Sequence, residues 1–590
     1  MNAPFTGVFD GLGHSISGLT INRPTSDDVG LFAAVDSGGV VRNVGLLGES
    51  VVGRNDVGGL AGYNAGTISN SYATGSVVGS AASPSSNCNT GMLECNVGGL
   101  VGENAGALAN DYVTGTVSSD TGSQSTGGLV GENNGTIATS YAAATVNGYR
   151  DVGGLVGGNT NSVSDSYALG SVNAVYDAAG GLVGASVGSI SNSYATGVVT
   201  TTGGDVGGLL GWYGGGQVNN SYWDTTTTGQ SSSAGGTGLT TSQLMSQSSY
   251  SGWGFSNAWF MVESATRPFL RMEYSTTLSN AHQLQLMAMD LTTSYTLAND
   301  LDLTATLANP SQMWATASVL GNTASGFAPV GNADTHFTGS FNGANHSIIG
   351  FSSSSPSNYY VGLFGVIDST GVVENVGMQE ASVSGFNSVG ALAGANDGTI
   401  NHVYATGSAS GSGWVGALVG NNSGTLSNSY ATSNVSGTGT SSYQIGGLAG
   451  SNNNSGTISN SYATGSVNGY YKVGGLVGGN LGTITDSYAT GDVTGISTSY
   501  GTSSAIGGLA GEAFGVISNS YASGSVSGTT DVGGLVGVNF ASLASTYAMG
   551  SVSGTTDVGG LVGLNNHGLA QQSYAMGSVS GTGNFGGADR

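Results

Sequence analysis

The residues able to carry acid–base or metal chemistry are scattered along this chain. Six histidines stand at His14, His282, His336, His346, His402 and His567. No pair has the His-Glu-x-x-His spacing that sets two imidazoles on one helix face for zinc. His14 and His346 occupy equivalent places in two copies of one text, which indicates a repeated turn, not a base. A polysaccharide lyase takes its proton with Arg or Lys. Here Arg23, Arg42, Arg54, Arg150, Arg267, Arg271, Lys472 and Arg590 occur one at a time. A glycosidase needs two facing carboxylates. Asp27-Asp28 is such a pair in sequence, but Asn358-Tyr359-Tyr360 replaces it in the second copy. Gly75-Ser-Val-Val-Gly79 does not fit the nucleophile elbow, whose serine sits centrally between two glycines. The reading is a non-enzyme with no cofactor and no metal. Asp56, Asp151, Asp205, Asp531 and Asp557 each precede Val-Gly-Gly-Leu and are expected to mark exposed turns.

What does recur is polar and regular. Asn70, Asn110, Asn192, Asn428, Asn460 and Asn519 each stand two residues before a tyrosine. A second asparagine column stands four residues after the leucine of Gly-Gly-Leu, beginning at Asn64 and Asn104. Asparagine tolerates left-handed turn geometry, and its amide can bond the same amide one layer away. The tyrosines make a third column: Tyr72, Tyr112, Tyr141, Tyr167, Tyr194 and Tyr222, then Tyr404, Tyr430, Tyr462, Tyr488, Tyr521, Tyr547 and Tyr574. These columns read as structural ladders. The functional alternative makes them a ligand stripe, with exposed rings holding sugar faces. Strand alternation does not decide which way the rings point, because a bend at Asn-Ser shifts it.

The element that must position all of this is the stretch Val57-Gly-Gly-Leu-Ala-Gly-Tyr-Asn-Ala-Gly-Thr-Ile-Ser-Asn-Ser-Tyr-Ala-Thr-Gly-Ser-Val77, which returns throughout. Gly-Gly-Leu steps fall at Leu60, Leu100, Leu129, Leu155, Leu182 and Leu209, and a second series runs from Leu392 to Leu561. Most intervals in the first series are 26 to 29 residues. Glycine, 108 of the 590 residues, excludes long helices at this density. Short strands between such turns make one coil of a parallel β-solenoid, and coils stack about 4.8 Å apart. The Leu of Gly-Gly-Leu, the Ile of Thr-Ile-Ser and the Val of Gly-Ser-Val are the expected core.

The fold class is therefore all-β, with two arrays of roughly 26-residue repeats. The first array covers 1–225, a Ser/Thr/Gly-rich segment covers 226–335, and the second array covers 336–590. Two short helices are expected in the middle segment, near Leu239 and after Ser279. Its aromatic cluster, Trp253, Phe255, Trp259 and Phe260, is expected to pack as an end cap. Phe337 to Gly350 repeats Phe5 to Gly18, so the chain holds two copies of one large module. It begins inside a module and ends without an evident cap, which reads as part of a larger exported polypeptide. Cys88 and Cys95 share one insertion and are expected to form a local disulfide. Insertions after Val78, Ser433 and Val493 share one register, so they should emerge along one edge, a natural place for contacts.

Charge narrows the partners. Eight basic residues face 32 acidic ones, for a net charge of −24. That field repels nucleic acid and anionic lipid. No apolar run is long enough to span a membrane. Gly-Gly-Leu-Val-Gly followed by Ser-Tyr-Ala-Thr-Gly-Ser-Val resembles the GLUG-motif repeats of large bacterial exoproteins, among them filamentous-haemagglutinin-like adhesins. The repeat also occurs beside some surface proteases. The resemblance implies a right-handed, secreted or surface-attached β-helical stalk that meets a host-cell, matrix or neighbouring-cell ligand, a glycan being one candidate. Two further readings stand beside the adhesin: a passive spacer or biofilm scaffold, and the non-catalytic repeat region of a carbohydrate-active enzyme or surface protease.

Overall fold

The computed structural model describes residues 3–80, 95–122, 124–314, 316–320, 325–439, 442–497, 504–583 and 585–586. It is a parallel β-solenoid with few helices. The chain divides into two units: Met1–Met272 with Pro310–Ala315, and Glu273–Asn309 with Thr316–Arg590.

In the first unit, sheets of eight, seven, fourteen and seven strands run along the coil axis. Registers are those the repeat demands. Tyr72 pairs with Tyr112, Ile68 with Leu108, and Val77 with Val117. The Leu155 amide donates to the Leu182 carbonyl at 2.9 Å, and Leu182 does the same to Leu209 at 2.9 Å. In the second unit an eight-stranded sheet and a 33-stranded sheet repeat the arrangement. The strands Ser294–Leu297 and Leu301–Asp302 already pair in parallel with Ser340–Asn342 and Ser347–Ile349, so the ladder of this unit starts ahead of Phe337.

The expected inward positions are inward. Leu60, Leu100, Leu129, Leu155, Leu182 and Leu209 are fully buried, as are Ile68, Ile190, Val117 and Val172. Each such side chain contributes about 1.5–3 kcal/mol relative to exposure. The second glycine of Gly-Gly-Leu is a steric requirement: a Cβ on Gly154 would lie 2.1 Å from the Gly181 carbonyl oxygen. Gly181 stands in the same relation to Gly208. At these steps the corner admits no side chain, whereas in the second unit the buried Ala391 and Ala417 take the same place.

The two expected short helices of the middle segment are Thr241–Leu244, capped by Thr240, and Ala281–Leu286, capped by Asn280; Thr304–Ala308 and Ala317–Leu320 are further short helices there. Trp223 and Leu209 join the core of the first unit at its last coil.

Candidate functional site

Three polar columns run along the coils, and each is bonded mainly to itself. The column of Asn64, Asn104, Asn133 and Asn159 lies inside. Each Nδ2 donates to the Oδ1 of the next asparagine at 2.8 Å, as far as Asn133 to Asn159. Asn159 then donates to Ser186 Oγ at 3.1 Å. In the second unit Asn396, Asn422, Asn452 and Asn480 repeat the ladder at 2.8 Å per step. All are buried and spend both amide ends within the core, so none is presented to a ligand.

A serine column, not singled out from the sequence, lies beside the tyrosines. Ser166, Ser193, Ser461 and Ser487 are buried. The Ser166 amide donates to Ser193 Oγ at 3.1 Å, while Ser166 Oγ donates to its own Ser164 carbonyl at 2.7 Å. The signal was the Ser that stands ahead of most of the tyrosines; Val403 and Thr546 replace it in two coils of the second unit. Asp111 takes this slot in one coil of the first unit, completely buried. Burial pushes its carboxyl well up, opposed by the amides of Ser71 and Ala109 that donate to it.

The asparagines two residues before the tyrosines form the bend itself. Asn70, Asn110, Asn192, Asn428, Asn460 and Asn519 have φ of 49°, 61°, 46°, 50°, 48° and 50°. They lie at the surface edge with partial cross-coil bonds, such as Asn110 Nδ2 to Asn70 Oδ1 at 3.2 Å. After this left-handed residue the alternation resets: serine points in, tyrosine out, alanine in.

The tyrosine rings therefore stand on the outer surface, stacked on one another. Centroids are 4.8 Å apart for Tyr72–Tyr112, 5.0 Å for Tyr112–Tyr141 and 4.8 Å for Tyr141–Tyr167. In the second unit Tyr430–Tyr462 and Tyr462–Tyr488 are 4.8 Å apart, with planes 3° from parallel. The strand spacing sets that distance. It also removes the sugar-platform reading of these rings: a pyranose needs an open ring face, and the faces here are occupied by neighbouring tyrosines. Edges and hydroxyls remain. Burial, then the adjoining phenol, raises the pKa of Tyr462 and Tyr488.

The aromatic cluster of the middle segment lies against this column rather than across the coil end. Trp259 packs 6.2 Å from the Tyr167 ring and 5.9 Å from Tyr194, and Trp253 packs 5.9 Å from Tyr222. Tyr194 Oη donates to the Pro268 carbonyl at 2.8 Å. The last coil is followed instead by residues 232–239: the Gly208 amide donates to the Ser232 carbonyl at 3.0 Å, and Thr237–Leu239 pairs in parallel with Tyr222–Asp224. Asp224 is buried there. It pairs with the fully buried Arg267 at 2.5 Å and accepts from Thr241 Oγ1 at 2.8 Å. The ring edges, not the coil end, offered this segment an apolar surface with hydroxyls in reach.

Two of the aspartates ahead of Val-Gly-Gly-Leu correct the exposed-turn expectation. Burial, with the Glu103 carboxylate adding to it, pushes Asp56 up to about 8, while Asn96 Nδ2 donates to it at 2.9 Å. Burial and Asp177 push Asp151 up to about 6. At φ of 47° and 38° these residues turn their side chains back against the adjoining coils.

The histidines stay apart. His282 Nδ1 meets Glu273 at 2.6 Å in a buried pair, and His346 Nδ1 meets Asp300 at 3.2 Å at the surface. Among the described residues no group of three or more His, Cys, Asp or Glu side chains is placed to hold a metal. No helix among them is long and apolar enough to cross a membrane. Cys95 is buried and disulfide-bonded; Cys88 lies outside the described residues. So do residues 81–94, 440–441 and 498–503 of the insertions after Val78, Ser433 and Val493, although the flanking strands Asn434–Gly437 and Val493–Gly495 both stack on Val467–Gly469.

Comparison with known proteins finds the repeat elsewhere. The GLUG motif matches residues 53–78, 148–173, 441–468, 469–494 and 502–527. A stretch of 75 residues, 13% of the chain, is 52% identical to halomucin from the archaeon Haloquadratum walsbyi (strain DSM 16790 / HBSQ001). The match spans 1% of halomucin's own length, and it carries the likeness outside bacteria. A solved structure of a provisionally assigned immunoglobulin A1 protease from Bacteroides ovatus aligns over 45% of this chain and 77% of its own, at 20% identity and a TM-score of 0.29. With its columns in register and five matched motifs, the chain is a GLUG-repeat protein.

Proposed function

We propose that this chain is a non-catalytic repeat stalk at a cell's outer surface, where it makes attachment contacts with neighbouring cells or matrix. One observation carries the reading. The polar side chains that recur most faithfully bond to their own copies from coil to coil, and do not converge on a reacting centre. Repetition here builds length and stiffness, which is what a stalk requires. The acidic surface keeps such coils soluble and apart. The similarity to a stretch of halomucin supports a surface setting.

The test has two parts. Antibody against the chain should label intact source cells; labelling that appears only after permeabilisation refutes the surface setting. Beads coated with the full chain should bind cells or matrix more than albumin-coated beads do. Equal binding would remove attachment and leave a passive spacer.

A further inference from the structure

A groove opens on the first unit where one outward column changes size. The third residue of each four-residue strand from Ala61–Asn64 to Leu210–Tyr213 stacks in register as Tyr63, Glu103, Glu132, Gly158, Ala185 and Trp212. Gly158 and Ala185 leave a floor between two large residues. The cavity above them measures about 230 Å³ and is also lined by Ser125, Asp151 and Thr160. Three coil steps, about 14 Å, separate the backbone of Glu132 from that of Trp212.

The walls are chemically distinct. Glu132 is nine-tenths buried and accepts from Ser125 Oγ at 2.9 Å. Its carboxylate leans over the floor, 1.9 Å from where a Cβ on residue 158 would be. At the opposite end the Trp212 indole is 45% exposed, beside Val187 at 47%. It lies over Gly214, where a Cβ would come within 2.3 Å of the ring. Unlike the tyrosines, this ring has no stacked neighbour in its column, because Ala185 precedes it. The second unit lacks the combination: its column reads Ala395, Asn421, Ser451, Gly479, Glu512, Val538 and Leu564, with no aromatic ring.

We propose that this groove holds one pyranose of a neutral glycan, with Trp212 against the apolar face of the sugar and Glu132 and Asp151 accepting its hydroxyls. An indole beside carboxylates provides the two surfaces a sugar ring needs, apolar on its face and hydrogen-bonding at its rim. The volume suits a single ring rather than a drug-sized or peptide ligand, whose pockets are larger. The carboxylates and the −24 charge of the chain oppose uronic and sialic acids. The inference deepens the attachment reading by naming a ligand class, yet it is decided on the isolated protein, whether or not cells attach.

The experiment titrates the full chain with methyl glycosides of glucose, galactose, mannose and N-acetylglucosamine, following tryptophan fluorescence and calorimetry. Methyl glucuronide and a Lys-rich peptide serve as charged probes. At least one neutral glycoside should bind with Kd on the order of 1 mM. Trp212→Ala should abolish the fluorescence response, and Glu132→Gln, which keeps shape, should weaken binding about tenfold. Tyr462→Phe, far along the second array, should leave it unchanged. Silence from all neutral glycosides, binding indifferent to both groove variants, or preference for the glucuronide or the peptide would each overturn the assignment. Cell attachment that survives Trp212→Ala together with lost glycoside binding would leave the groove standing and place adhesion elsewhere.

Discussion

The two tyrosine columns carry the same text and stack at the same spacing, yet they live in different surroundings. In the first unit Tyr167 and Tyr194 are fully buried, covered by Trp259 and, at Tyr194, by the Pro268 carbonyl. In the second unit Tyr430, Tyr462 and Tyr488 remain half-buried, and Tyr574 is 48% exposed. Stacking belongs to the repeat, since every copy brings its own ring. Burial belongs to the segment that does not repeat, and it reaches only the rungs that segment touches. A repeat thus sets the geometry of a column, while a local insertion sets its energetics.

Substitutions can break that contrast. Trp259→Ala should have the largest effect, lowering the stability of the first unit by about 3–5 kcal/mol. Faster hydrogen exchange at Tyr167 and Tyr194 would report it, with exchange at Tyr462 unchanged. Equal acceleration in both units would mean that the cover is not local. Leu182→Ala and Leu476→Ala should each cost about 2–5 kcal/mol, because both leucines are fully buried. Similar shifts in urea unfolding of the two units would show that the inner columns, unlike the outer ones, are equivalent. Removing a single hydroxyl is gentler. Tyr194→Phe deprives the buried Pro268 carbonyl of its 2.8 Å donor, at a cost of about 1–3 kcal/mol. Tyr462→Phe should be near neutral by the same measurement.

A pH slope sharpens the comparison from another side. Asp56 is held at about 8 in the fold against an ordinary 3.8. Between those values the folded state binds the extra proton, so stability falls as pH rises from about 4 toward 8 and then levels off. Its favourable part is complete below the ordinary aspartate value. Asp56→Asn should flatten the slope in pH-dependent unfolding of the first unit; an unchanged slope would assign it to another group.

Much of this was legible from spacing. The inner columns could be read because Leu, Ile and Val return at fixed offsets, each Leu preceded by glycine or, at Ala391 and Ala417, by alanine. The outward direction of the tyrosines could not. It turns on a single left-handed residue, Asn70 or its equivalents, which resets the alternation just before the ring. Ser71 and its copies were overlooked because serine carries no apolar signal, although it fills the slot in most coils. Asp56 looked exposed because it precedes a turn; the turn folds its carboxylate toward Asn96. Trp259 over Tyr194 joins residues far apart in sequence through a segment without period, so no offset announces it. The groove needed register as well: Gly158 and Trp212 mean nothing alone, and become a floor and a wall only once stacked.

The inner amide ladder of the second unit has one missing rung. Asn480 faces Ala513 in the next coil, and its Nδ2 turns to the Gly515 carbonyl at 3.0 Å instead. Asn539 resumes the series with Asn565 at 3.0 Å. The step is still bridged, but by a side-chain-to-backbone bond, so the unbroken run of amide-to-amide bonds along the axis is interrupted there. Ala513→Asn is the substitution that would restore it.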